Sequence, residues 1–223
     1  MDTSGKILSK LTQQAAAKQE VFRVCKSLFD ELKEVIHELS QELGKEVSPV
    51  DKHVEIKFTD KGEFEVALKF SGDTLIFHMH SNTFSFDKSH QIWNTSYVKK
   101  DQYRAYCGVI NVYNFLSDSF KYNRVNDLGY LLGRIFINKE KHFFTDGNGQ
   151  MNFLHNNFQN DILDKDTLKT IVQELMLQAI DFELITPPYK EVQVVSLNQI
   201  NEMSQKMKLK TAKKLGFKFS NEK

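Results

Sequence analysis

The sequence predicts an α+β protein, with an antiparallel meander sheet of six to eight strands flanked by a long N-terminal helix and a C-terminal amphipathic helix. Three observations lead there. Between about residues 5 and 43 there is no proline and no internal glycine, and Cys25, Leu28, Leu32, Val35, Leu39 and Leu43 recur every three or four positions, which is one helical face. From residue 53 the apolar period changes to two, the mark of strands with one solvated face. From residue 165 to 184 the helical period returns, with Leu168, Ile171, Val172, Leu175, Met176, Ala179 and Ile180 on one stripe.

Taken in order, the first helix is expected to stop at Gly44 and Pro49. Unbroken over about 39 residues it would run about 58 Å, whereas a strand of five or six residues spans only about 17 to 20 Å. It must therefore break near residues 16 to 20, where the stripe is thin, or project its first half onto another helix, most economically that of a second copy. Val54, Ile56 and Phe58, then Phe64, Val66, Leu68 and Phe70, alternate with mostly polar neighbours across an Asp60-Lys61-Gly62 turn. Ser71-Gly72-Asp73 leads into a strand from Thr74 to His80. Ser81-Asn82 leads into a fourth from Thr83 to Asp87, before an irregular polar connection over 88–102.

Tyr103 to Leu116 is apolar on both parities and reads as a central strand. Leu128 to Asn138 fits either a helical face or a strand; β-rich Arg134-Ile135-Phe136-Ile137 favours a strand for at least 133–138. Asp146-Gly147-Asn148-Gly149 is the clearest hairpin signal and should lead to a strand from Gln150 to Leu154. Asp164 or Asp166 caps the second helix, which Pro187-Pro188 ends. Val192 to Val195 reads as a short strand, and Ser196 with Gln199 as a capping box opening a helix through about Met207. The expected organisation is a helical segment over 1–46, a core domain over 50–185 and an extension over 186–223.

Composition narrows the classes of function. Three prolines and ten glycines fall below the roughly 11 and 16 that average usage would supply, which argues against flexible linkers and repeats. The two cysteines, Cys25 and Cys107, read as buried reduced thiols. The start Met1-Asp2-Thr3-Ser4-Gly5-Lys6 lacks a basic, apolar leader, and no run approaches a membrane span, so a cytoplasmic protein without a membrane partner is expected. The net charge of +1 divides unevenly: residues 206–223 carry seven lysines against Glu222, a local +6, leaving −5 for the rest. That tail, through Lys206, Lys208, Lys210, Lys213, Lys214 and Lys218, is a candidate for sequence-independent contact with nucleic-acid phosphates. It contains no arginine for bidentate base readout.

The candidate metal ligands are His78 and His80, which project from one face of a strand, with Asp87 and His90 nearby. The opposing reading is a solvated or interface histidine pair, because Leu75, Phe77 and Met79 hold the apolar face. Asp51 with Glu55-Ile56-Lys57 resembles a nuclease acid set only superficially, since four residues of separation cannot place the two carboxylates on different strands. Asp146 to Asn157 lacks the glycine and terminal glutamate of a calcium loop, and Cys107 in a doubly apolar strand is a poor nucleophile. No catalytic set and no cofactor is expected. The first expectation is a non-enzymatic protein-interaction or ligand-binding module that self-associates through its N-terminal helix. Nucleic-acid association through the tail and a metal-dependent enzyme at His78/His80 are the alternatives. The eighteen phenylalanines suggest, as a variant of the first, an apolar ligand pocket between sheet and helices.

Overall fold

A computed structural model describes residues 2–147, 156–182 and 184–205. Strands β1 (Ile56–Asp60), β2 (Glu65–Phe70), β3 (Asp73–Met79), β4 (Cys107–Leu116), β5 (Tyr130–Asn138) and β6 (Phe143–Gly147) form one six-stranded sheet in sequence order. Every neighbouring pair is antiparallel. The expected meander is present, and the expected strand over 150–154 lies outside the described residues.

The N-terminal helix does not end at Gly44. Helix α1 (Thr3–Ser9) passes through a π-helical stretch (Lys10–Ala15) into α2 (Ala16–Val47). The break expected at residues 16 to 20 is therefore a widened turn just upstream rather than an interruption. No residue of α1 or the π stretch is buried. Burial starts at Ala17 and follows the predicted stripe through Val21, Cys25, Leu28, Leu32, Val35 and Leu39. That stripe packs on one sheet face with α5 (Lys165–Ile180), whose Asp164 side chain caps it by accepting from Thr167 N at 2.8 Å. Helix α5 stops at Ile180 rather than 184, and Ile180 is exposed. The core between them holds Phe29, Phe77, Phe143, Leu75 and Ile110 fully buried.

Three further segments differ from the sequence reading. Thr83 to Asp87 is not a strand: it touches the sheet only at a bridge between Phe84 and Cys107, made by hydrogen bonds of 2.8 and 2.9 Å. The 88–102 connection contains a 3-10 turn (Gln91–Asn94) and α3 (Ser96–Lys100), followed by a second 3-10 turn (Gln102–Ala105). Val192 to Val195 forms no strand; α6 (Tyr189–Val192) is one helical turn. Ser196 and Gln199 do exchange the capping-box hydrogen bonds that open α7 (Leu197–Gln205). Earlier in the chain, the short helix α4 (Ser117–Lys121) follows the end of β4. No helix among the described residues is long and apolar enough to cross a membrane.

The connection over 80–106 covers part of the sheet face that the long helices leave free. A second cluster forms there from Ile92, Tyr97, Val98, Cys107, Val109 and Phe136, with Phe158 closing it. Buried Asn138 ties the connection down. Its amide donates to the Tyr97 hydroxyl at 2.9 Å, and its carbonyl oxygen accepts from the backbone N–H of Glu140 and of His142.

Candidate functional site

Strand alternation decides which side chains reach the second face. On β5, Ile135 and Ile137 enter the helix-side core, so Arg134, Phe136 and Asn138 point the other way. Antiparallel register then lines up rows across three strands. Asn111, Arg134 and Asp146 are successive cross-strand partners, and Val109, Phe136 and Phe144 form the next row. The first row is polar and the second apolar. A bulge at Val112/Tyr113 shifts the register beyond this point, so the two rows sit where the pairing is regular.

The rows form the floor of a cleft of about 1050 Å³. Phe136 and Phe144 stack with centroids 4.9 Å apart and planes at 18°. The Arg134 guanidinium lies 5.2 Å from the Phe136 ring and pairs with Asp146, to whose Oδ2 both its Nε and Nη2 donate. The side chain of Asn111, which stands between His78 and Arg134 in the register, makes no hydrogen bond to the described residues.

One wall comes from the connection. Phe86 meets Phe136 at 5.3 Å and Phe144 at 5.5 Å, and His90 stacks on Phe86 at 4.6 Å. Trp93 holds this wall in place by donating its indole N–H to the carbonyls of Phe86 and Asp87. The other wall is the loop carrying Phe158, edge-on to Phe144 at 5.4 Å, and Gln159, whose side chain accepts from the Ser96 hydroxyl at 3.0 Å. His80 closes one end, edge-on to Phe84 at 4.8 Å.

Two of the predicted metal ligands, His80 and His90, line this cleft. Each accepts a backbone N–H at Nδ1, from Asn82 and from Ile92 respectively, so the neutral ring carries its proton on Nε2 and is a donor there. His78 stands in register between Glu65 and Asn111 and is not a lining residue. The Asp87 carboxylate accepts from the hydroxyl and backbone N–H of Ser89, which hold it below its ordinary pKa. Among the described residues no three His, Cys, Asp or Glu side chains converge as a metal site. The cleft lies on the face opposite the long helices, not between sheet and helices as the phenylalanine count suggested. The tail lysines Lys206, Lys208, Lys210, Lys213, Lys214 and Lys218 lie outside the described residues.

Sequence reasoning missed Arg134, Asp146 and Asn111. The available signal was a charged or amide residue at an inward-alternating position of an otherwise apolar strand. Glu55, the other acid weighed, is spent on a surface pair with Lys69, and Asp51 bonds His53. The chain matches no protein-family model, no curated protein and no solved structure.

Proposed function

We propose that this chain is a non-enzymatic ligand-binding module whose site is the cleft on the second sheet face. The observation that carries this reading is the floor itself: an aromatic row beside a polar row, walled by rings and donors, in a space at the upper limit of what small organic ligands use. Both thiols are buried and their pKa values are raised, Cys25 to about 12, which supports binding over covalent catalysis.

A titration with indole, followed through the histidine ring signals by NMR, tests it. The reading expects the His80 and His90 signals to move while those of His37 and His53, which do not line the cleft, stay in place. Equal movement of all four, or of none, contradicts it.

Self-association through the N-terminal helix is a second element of the proposal. Its support is that Ile7, Leu8 and Leu11 are 54%, 63% and 59% exposed and that no residue from Thr3 to Ala15 is buried among the described residues.

A further inference from the structure

We propose that the cleft recognises a planar nitrogen heterocycle of the purine kind; the inference rests on the reading of the cleft as a ligand site and names what it takes. The apolar row supplies a stacking surface. Partly buried Phe144 presents its ring, backed by the buried Phe136 ring stacked on it with the Arg134 guanidinium held over Phe136, and such a surface favours a flat π-system over a branched aliphatic group.

The polar row supplies an edge to read. Arg134 uses Nε and Nη2 on a single Asp146 oxygen, which leaves Nη1 as a donor and Oδ1 as an acceptor outside the pair. Next to them stands the Asn111 carboxamide, itself both donor and acceptor. A ring bearing adjacent carbonyl and N–H groups satisfies such an alternation, whereas a plain aromatic ring leaves the row unpaired, and unpaired polar groups are what a site of this kind discriminates against. His80 and His90 add Nε2–H donors at the walls.

Charge selects further. Among the described residues, Arg134 and Asp146 are the only Arg, Lys, Asp or Glu residues lining the cleft, and they cancel. A neutral base or nucleoside therefore enters without an uncompensated charge, while a nucleoside triphosphate does not. The space exceeds that of a base alone, so a sugar fits beside it.

Isothermal titration calorimetry of the full chain tests the inference, with inosine, indole and a single-stranded purine trinucleotide as separate arms. Inosine is expected to bind at least tenfold tighter than indole and tighter than the trinucleotide, whose phosphates the cleft does not compensate; a tighter trinucleotide would contradict the selection by charge. Asn111→Ala and Arg134→Gln should each weaken inosine binding at least tenfold and so reduce the preference for the purine over indole. Asn111→Ala removes no hydrogen bond within the described residues, so it keeps the test valid if Arg134→Gln fails to fold. If indole binds as well as the purines, or neither substitution changes purine binding, the inference falls while the ligand cleft stands. If no arm shows binding at millimolar concentration, both fall.

Discussion

Gly108 of β4 lies directly under Cys25 of α2: a methyl group at Gly108 would stand 2.7 Å from the Cys25 sulfur and 2.8 Å from its Cβ. Glycine here is a spacing device that lets the longest helix settle on a central strand. Gly108→Ala should cost about 1 to 3 kcal/mol by overpacking, measured by urea denaturation. Adding Cys25→Ala should recover only part of the loss, because the Cβ contact remains. An unchanged midpoint for Gly108→Ala would mean that helix and strand are not in this contact.

Both thiols are silenced by burial, Cys25 on the sheet-facing side of the long helix and Cys107 in the cluster on the opposite sheet face. Burial pushes Cys25 up to about 12, and burial together with neighbouring Cys25 raises Cys107 as well. Ellman's reagent at pH 8 should label neither within an hour in the native protein and both in guanidinium. Rapid native labelling of either would contradict the burial.

Asp164 links acid stability to one helix cap. Hydrogen bonds from the Thr167 hydroxyl and backbone N–H hold its carboxyl below the ordinary value. Because the folded pKa is the lower one, the stabilisation is present above the unfolded value of about 3.9 and is lost as pH falls through the folded value. Asp164→Ala should therefore cost about 1 kcal/mol at pH 7. The gap to the parent chain should close as pH falls through the lowered folded pKa. A gap independent of pH would show that the cap does not act through its ionised form.

Much of this architecture is legible in the residues because packing follows local period. The stripe from Cys25 to Leu39, the cap at Asp164 and the box at Ser196 and Gln199 each require only neighbouring positions, and each is present. Thr83 to Asp87 misled for a physical reason. Phe84 and Phe86 alternate because both line the cleft, Phe86 against the aromatic floor and Phe84 against His80, which gives the pattern of a strand without its pairing. The cleft was invisible for a related reason: Asn111, Arg134 and Asp146 meet only through cross-strand register, which no local period encodes.

Removing residues 1–12 tests the exposed helix start. No residue from Thr3 to Ala15 is buried, so the truncated chain should melt within a few degrees of the parent. The parent should sediment as an oligomer at tens of micromolar and the truncated chain as a monomer. A monomeric parent would remove self-association from the account.

The central claim, that the cleft floor receives a flat ring, is tested most directly by intermolecular nuclear Overhauser effects in a mixture of the full chain and inosine. The account predicts contacts from the purine H2 and H8 protons to the rings of Phe136 and Phe144, and none to His37 or Phe58, which pair beside the long helix. Contacts confined to His37 and Phe58, or no contacts at saturating inosine, would contradict it.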